Sequence, residues 1–285
     1  MSEGRRTIEA LLAQGEMLPA ALRAELMSWS ATIAMDQGDY VHAGTRNDAS
    51  LALYRQLGNR QGMVAALNAA GWLATWQNNY ARAQALLEEC VALAHELHST
   101  WHVAMAGSHL AWLALLQDDR VQARARFEES LRLFRSLDSE WGAAWSLYGL
   151  GQVALVEGDR AAAGRYFRES LAIWHTASDL RRIGYAVEGL AGVAGAEAEV
   201  QGHEVGAGRA EQLARRAARL WGAAEVLRET LGAPGTPYAD YRRETYLAQA
   251  QAYVDKETWQ AAWDEGRAMT LEQAIAYALE GVDDA

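Results

Sequence analysis

The sequence repeats itself every forty residues between about residues 22 and 178. A two-residue turn recurs at this spacing, a tyrosine or arginine follows each turn, and small residues occur three and ten positions later. The turns are Gly38-Asp39, Asn78-Asn79, Asp118-Asp119 and Gly158-Asp159, and the small residues are Ala43, Ala83, Ala123 and Ala163, then Ser50, Cys90, Ser130 and Ser170. A fixed period of this size predicts stacked units, each burying its apolar face against the next.

Each unit has the pattern of two helices. In the unit from residue 59 to residue 98, apolar residues recur at intervals of three and four from Gln61 to Gln77, as in an amphipathic helix. Asn79 is a good N-cap for a second helix, from Tyr80 to Leu97, because its side chain can accept hydrogen bonds from unpaired backbone N–H groups. The repeat is therefore predicted to be a helix pair.

Composition agrees with a helical protein and argues against some partners. Apolar residues make up 51% of the chain and only three residues are proline, which indicates an all-α fold. The net charge is −11, and Lys256 is the only lysine among 26 basic residues, the arginines being scattered among acids. Because a basic stripe is missing, we expect no nucleic-acid partner.

Two further features bear on compartment. Cys90 is the only cysteine, and its place in a small-residue column indicates a packed structural thiol. The sequence has no run of eighteen apolar residues and no signal-peptide core at its N-terminus. These features predict a cytoplasmic protein with no membrane partner.

The repeat columns resemble those of the tetratricopeptide repeat (TPR) family. Counted from Val64 as the first position, Gly71 stands at the small eighth position and Tyr80 at the aromatic seventeenth, and Leu87 stands at the bulky twenty-fourth. The usual fourth-position tryptophan is Leu67 in this unit, and the closing proline is absent. The period of forty, rather than the usual thirty-four, resembles the long MalT-like type. The resemblance implies a right-handed α-solenoid of helix pairs.

The pattern divides the chain into parts. We expect residues 1–21 to hold a short helix, from Arg5 to Gln14, that is the remnant of a preceding repeat. Residues 22–178 hold four repeats, and residues 179–232 hold a fifth with fourteen additional residues. The additional residues fall within 194–212, a glycine-rich stretch that favours a flexible loop, with longer helices as the alternative.

Residues 233–285 are predicted to form a C-terminal helical cap after a connector that contains Pro234 and Pro237. The predicted helices are Tyr238 to Asp255, Thr258 to Ala268 and Leu271 to Leu279, the last with a Thr270–Gln273 capping box. This part resembles the C-terminal region of bacterial STAND-type signal-transduction ATPases and LuxR-family regulators. The resemblance implies that an ATPase domain lies upstream and that Gly281 to Ala285 is the true C-terminus.

We find no catalytic motif in the sequence. A phosphate-binding P-loop is absent, and His203-Glu204 lacks the second histidine of a zinc-protease helix. His95, His98 and His102 are close in sequence but straddle a unit boundary, and no carboxylate or thiolate is well placed to complete a zinc site. The sequence therefore predicts a protein that is not an enzyme and uses no metal or cofactor.

Aromatic residues recur on one face of the first helices. In TPR folds this face lines the concave groove, so the resemblance implies a ligand-binding groove formed by Asn68, Trp72, Trp76, Trp101, Met105, Ser108, Trp112, Trp141, Trp145, Tyr148, Gln152, Tyr185 and Glu188. The repeat columns of Ala, Leu and Gly already occupy the packing positions, which favours a separate partner for this stripe. The alternative is that the aromatic side chains belong to the core.

These observations predict a non-enzymatic sensor or protein-interaction module. It would bind a protein, a peptide or a small apolar ligand in the groove. The family resemblance implies that binding regulates the upstream ATPase or a transcription factor. The alternative is a structural or oligomerisation scaffold whose groove is filled by a second copy or by the chain's own C-terminal helices, with Trp259 and Trp263 docking into it.

Overall fold

The computed structural model describes residues 3–13, 15–204, 207–231 and 242–280. Over these ranges the regular structure consists of α-helices and one 3-10 turn, with no β-strand. The helices are α1 (Glu3–Leu12), α2 (Ala20–Asp36), α3 (Tyr40–Leu57), α4 (Arg60–Trp76), α5 (Tyr80–Glu96), α6 (Thr100–Leu116), α7 (Arg120–Ser136), α8 (Glu140–Glu157), α9 (Arg160–Thr176), α10 (Leu180–Glu204), α11 (Ala207–Leu231), α12 (Arg243–Gln251), α13 (Lys256–Arg267) and α14 (Leu271–Leu279). The predicted all-α fold is confirmed.

The chain divides into two compact units, Met1–Gln117 and Asp118–Ala285. In the first unit α2 pairs with α3 and α4 with α5, and the first helices α2, α4 and α6 follow one another in contact. In the second unit α8 pairs with α9 and α10 with α11, while α8 also contacts α10. Each unit is therefore a stack of helix hairpins in which first helices neighbour first helices.

A left-handed residue separates the helices at intervals of twenty. Positive φ angles occur in two columns, Gly38, Asn78, Asp118 and Gly158, then Gly58, His98, Asp138 and Ser178. Such a residue ends a helix because it lets following N–H groups turn back to the last carbonyls, as Asn79 N–H does to Ala74 O at 2.9 Å. The next side chain then caps the following helix: Asn79 accepts from the N–H of Arg82. Asp39, Asp119 and Asp159 cap in the same way, so the predicted N-cap column is confirmed.

The small-residue columns mark the places where paired helices approach closely. A methyl group on Gly71 would lie 2.5 Å from Cγ of Leu87, which is too close for any side chain at this position. Ser50 donates to the carbonyl of Ala24 at 2.7 Å, and Cys90, one repeat later, donates to the carbonyl of Val64 at 3.3 Å. Burial raises the pKa of the Cys90 thiol to about 12. Cys90 is therefore the packed structural thiol that its column predicts.

The hairpin of α10 and α11 is longer than those before it. Each of these helices has 25 residues, whereas α9 has 17. The additional residues lengthen both helices, so the predicted flexible loop is wrong over residues 194–204 and 207–212, and residues 205 and 206 lie outside the described ranges. The boundaries of the four sequence parts, and the status of residues 1–21 as a repeat remnant, stay predictions.

Three helices follow near the C-terminus and pack on the α10–α11 hairpin. α12 ends four residues before the predicted Asp255, while α14 has the predicted bounds and the predicted Thr270–Gln273 capping box. The carbonyl of Tyr246 on α12 would lie 2.7 Å from a methyl group on Gly195, so α12 lies directly on α10. The Pro234 and Pro237 connector, the predicted helix start at Tyr238, the helix end at Gln14 and the Gly281 to Ala285 terminus lie outside the described residues.

The α11–α13 crossing yields a prediction about stability. A methyl group on Gly222 would collide with the carbonyl oxygen of Trp263. On Gly208, in the same helix, a methyl group would have no atom of the described residues within 4 Å. We expect Gly222→Ala to lower the free energy of unfolding by about 1–3 kcal/mol, because neither backbone can yield without repacking. Gly208→Ala should raise it by up to about 1 kcal/mol through helix propensity. Urea unfolding followed by circular dichroism measures both, and a stable Gly222→Ala protein would contradict the close crossing.

Candidate functional site

The predicted groove residues of the first unit lie on α4 and α6, and most of them are buried. Trp72, Met105, Ser108 and Trp112 are buried, Asn68 and Trp76 are half-buried, and Trp101 is exposed. Trp112 has no exposed surface, whereas Trp101, in the first turn of the same helix, keeps 40% of its surface exposed. Among the predicted groove residues of this unit, Trp101 therefore offers a partner the largest aromatic surface, although Trp29 of α2, which is not one of them, is 53% exposed.

A polar cluster with stacked rings joins α4 to α6. The imidazole of His109 stacks on the Trp72 indole with ring centroids 4.2 Å apart and planes 12° from parallel. Its Nδ1 lies 3.0 Å from Oδ1 of Asn68, and a neutral ring with its proton on Nδ1 donates to this oxygen. Trp76 continues the aromatic contact, 6.0 Å from Trp72 and 4.6 Å from Tyr40. The cluster fixes the orientation of the α4 side chains.

Sequence reasoning did not select His109, which is the polar centre of this cluster. The same repeat column holds Trp29, Ala69, Gly149 and Gly189, so a polar ring among apolar and small residues was the available signal. Burial lowers the pKa of His109 to about 3. The ring is consequently neutral at physiological pH, and it acts as a fixed hydrogen-bonding and stacking group.

In the second unit the predicted groove residues form a ladder of rings on α8 and α10. Trp141 and Trp145 stack with centroids 6.4 Å apart and planes 13° from parallel, and Tyr148 lies 6.1 Å further along. Tyr148 in turn stacks with Tyr185 at 6.2 Å. The guanidinium of Arg182 lies 4.6 Å from the centre of the Trp141 ring. Trp141, at the outer end of the ladder, is half-buried.

The inner part of this ladder is packed among helices. The Tyr148 ring contacts Phe167 at 5.6 Å and Trp174 at 5.7 Å, both on α9. Its hydroxyl accepts a hydrogen bond from Nε2 of Gln152 at 3.1 Å. These contacts place Tyr148 in the core between α8, α9 and α10, as the alternative reading of the stripe expected. A ligand-binding role for the groove residues stays a prediction, and Trp141 is the accessible end of the ladder.

Glu188, also a predicted groove residue, is a buried carboxylate between two arginines. Arg228 of α11 lies 3.2 Å from Oε1 of Glu188, and Arg243 of α12 lies 3.9 Å from the same oxygen. Arg243, Gln152 and Tyr246 are among the residues that line a cavity of about 20 Å³ beside it. The face of α10 that carries Glu188 is therefore covered by α12.

Trp259 and Trp263 lie elsewhere. The Trp259 ring lies 6.2 Å from Trp221 on α11, and the Trp263 indole donates to Glu225 at 2.9 Å. The expectation that these two tryptophans dock into the groove is therefore wrong. They attach α13 to α11, and α12 is the C-terminal helix that reaches a predicted groove residue.

The histidines considered as metal ligands are separated. His98 occupies the left-handed turn before α6, while His102 lies within α6 and its Nδ1 is 2.8 Å from the Ser99 hydroxyl. Among the described residues, no three His, Cys, Asp or Glu side chains are grouped as a metal site requires. The side chain of His203 lies outside the described residues. No helix in the described ranges is both long and apolar enough to cross a membrane.

Comparison with known proteins gives the class of fold. No protein-family model matches the chain, and no curated protein matches it. The structure of apo RapI is similar with a TM-score of 0.59 and 15% identity, over 92% of this chain and 90% of that one. BtubC from P. vanneervenii is similar with a TM-score of 0.50 and 15% identity, over 94% of this chain and 89% of that one. The likenesses concern the fold alone, and they confirm the predicted α-solenoid of TPR-like helix pairs.

The contrast within α6 yields a prediction. Trp112→Ala should lower the free energy of unfolding by about 3–5 kcal/mol, because it leaves a cavity where a fully buried indole was. Trp101→Ala, in the same helix, should change it by less than about 1 kcal/mol, because much of the ring is already in water. Urea unfolding measures the free energy of unfolding of both variants. Equal losses would mean that the two rings do not differ in burial.

The buried imidazole predicts a dependence of stability on pH. The pKa of His109 is about 3 in the folded chain against an ordinary 6.5, so only the unfolded chain takes up this proton between these values. The stability that the neutral His109 ring contributes is therefore retained above pH 6.5 and is lost as the pH falls towards 3. From pH 6.5 to about pH 5 the wild-type protein should lose about 1.5 kcal/mol more than a His109→Gln variant. Parallel stability curves for the two proteins would contradict this account.

Proposed function

We propose that the chain is a non-enzymatic protein-interaction module in which each unit binds a peptide segment of a partner through a partly exposed tryptophan of its own. The observation that carries the proposal is the position of Trp101 and Trp141. Each begins a first helix of the repeat, and each keeps an accessible indole, while the aromatic residues deeper in the same stripe are buried. A TPR-like fold, whose hairpins present rows of first helices, supports the same function.

Trp141 has the physical properties of a binding anchor. Its ring is held by the stacked Trp145 on one side and by the Arg182 guanidinium at 4.6 Å, so binding does not have to order it. Arg182 is itself fixed by an ion pair with Asp179 at 2.6 Å. A rigid indole beside a cation suits an extended peptide that carries an apolar side chain next to an acidic one.

The remaining groove residues have supporting roles in this proposal. Asn68 holds His109 and thereby Trp72, so its polar contacts serve orientation more than direct recognition. Arg243 of α12 lies beside Glu188. Gln152 and Glu188 can therefore contact a ligand only after α12 moves away. A small apolar ligand is a less favourable occupant, because the apolar rings that would surround it already pack against one another.

We further propose that binding regulates an ATPase or a transcription factor located in the same chain. Support for this step comes from the sequence resemblance of residues 233–285 to the C-terminal region of bacterial signalling ATPases. In a chain that carries such an ATPase, Trp101→Ala should abolish the ligand-dependent change in the rate of ATP hydrolysis while leaving the basal rate unchanged. Loss of the basal rate as well would contradict a sensor role.

A second candidate function, an internally closed scaffold, is favoured by one specific observation. Besides Arg243, two polar contacts fasten α12 and the residues just after it to α10. Gln249 donates to the Glu199 carboxylate at 2.6 Å, and the Tyr253 hydroxyl donates to the Glu199 carbonyl at 3.2 Å. If the chain is a scaffold, α12 is the permanent occupant of this face and no external ligand is needed.

Selection from a random peptide library on the immobilised protein tests the first function. Enriched peptides should bind with micromolar or better affinity, and Trp101→Ala or Trp141→Ala should weaken binding by about tenfold or more, as loss of an aromatic anchor does. Val41→Ala and Val121→Ala are matched controls, because both valines are 81% exposed and begin second helices. Fluorescence titration measures the affinities.

Two results of this selection would favour the scaffold. One is that no peptide is enriched. The other is that the valine variants weaken binding as much as the tryptophan variants do, which would mean that the enriched peptides do not recognise the first helices and would leave α12 as the occupant of that face. Circular dichroism of each variant confirms that the fold is intact before the affinities are compared.

A further inference from the structure

A basic pocket lies between α11 and α14, away from the aromatic ladder. It has a volume of about 250 Å³ and is lined by Arg209, Gln212, Leu213, Arg215, Arg216, Arg219 and Tyr277. The α11 residues recur at intervals of three and four, so they form one stripe that faces the Tyr277 ring. Four arginines around one cavity are unexpected in a chain whose net charge is −11. We name this cavity the α11–α14 pocket.

Two of the four pocket arginines form ion pairs with glutamates. Arg215 pairs with Glu211 at 2.6 Å and Arg219 pairs with Glu265 at 2.6 Å, and both ion pairs remain accessible to solvent. Arg216 is only 8% exposed, and among the described residues no carboxylate forms an ion pair with it. Glu280 acts electrostatically on Arg216 without forming an ion pair with it, so an anion in the cavity would lower the cost of burying this cation.

Arg216 meets this cost partly through backbone dipoles. Its Nη2 donates to the carbonyl of Tyr277 at 2.8 Å and to that of Glu280 at 2.7 Å, which are at the C-terminal end of α14. These bonds satisfy carbonyls that a helix end leaves unpaired. They explain Arg216 as a cap for α14, whereas the carboxylate partners of Arg215 and Arg219 are solvent-accessible glutamates.

A further arginine adds to the positive charge. Arg168 of α9 acts electrostatically on Arg216, and its buried Nε has no hydrogen-bond partner in the described part of the chain. The Tyr277 ring lies 4.7 Å from the Arg216 guanidinium carbon, which stabilises a cation but adds no negative charge. An anion in the cavity would supply what these contacts lack.

We propose that the α11–α14 pocket binds a phosphate monoester. A single carboxylate is satisfied by one bidentate arginine, whereas a phosphate carries more charge and three strong acceptor oxygens and matches several guanidinium groups at once. Leu213 and Tyr277 give the cavity an apolar wall for the organic part of the ester. The ester group belongs to a small metabolite or to a phosphorylated side chain of a partner.

Isothermal titration calorimetry at low salt tests the proposal with phenyl phosphate, glycerol phosphate and a short phosphoserine peptide. At least one of them should bind, and Arg215→Gln should weaken it by about tenfold, the usual effect of losing a charge-assisted hydrogen bond. Arg209→Gln, at the same stripe, should weaken it in the same direction. Neither variant removes the Arg216 bonds to α14, so both should fold.

The control is Arg135→Gln, because Arg135 forms an exposed ion pair with Glu169 at 2.9 Å outside the pocket. Its binding should match that of the wild-type protein. Tighter binding of the free esters would assign the site to a metabolite, and tighter binding of the phosphopeptide would assign it to a phosphorylated partner. The proposal is overturned if no ester binds at about 10 mM, or if Arg135→Gln weakens binding as much as Arg215→Gln.

Discussion

Close approach of paired helices at small residues is the constraint on which the structure depends. Where Gly71 meets Leu87, and where Ser50 and Cys90 donate to carbonyls of the first helix in their repeat, the helix axes can lie near enough for continuous packing. The same period places a left-handed residue every twenty positions, so each helix ends where its partner begins. Packing and chain reversal thus reinforce one another in every repeat, which is the consistency expected of a sequence that specifies one fold.

That consistency explains why the helices could be predicted closely and the site could not. The helix pair predicted at Gln61 to Gln77 and Tyr80 to Leu97 differs by one residue at its ends from α4 and α5, because turn and capping residues are local signals. The aromatic stripe was predicted to be a groove because small residues already occupied the packing positions of each repeat. Small residues leave volume instead: at Gly151 a methyl group would lie 2.6 Å from Phe167, and Tyr148 packs on the same ring. Volume between helices is a tertiary property, which a repeat pattern does not report.

Charge was equally hard to read from the sequence. Scattered arginines gave no basic stripe, yet folding gathers four of them around the α11–α14 pocket and two more around Glu188. The first group follows helical spacing on α11, so it was visible in principle. The second joins residues on three helices that are far apart in sequence. His109 and Asn68 are a similar pair, 41 residues apart, that only the stacking of α4 on α6 brings together.

The long α10–α11 hairpin has a consequence for how the repeat array ends. At about 1.5 Å per residue, 25 residues make each helix about 37 Å long, roughly 12 Å more than a helix of 17. The added length carries Glu199 and Gly202, which contact Gln249 and Tyr253 in the C-terminal segment. In an array of identical hairpins, the last hairpin exposes the same apolar surface that each earlier hairpin buries against its neighbour. Another copy of the chain can bind to that exposed surface. Here the α10–α11 hairpin is longer, and helices of the same chain cover its surface. That surface is therefore not open to a further hairpin.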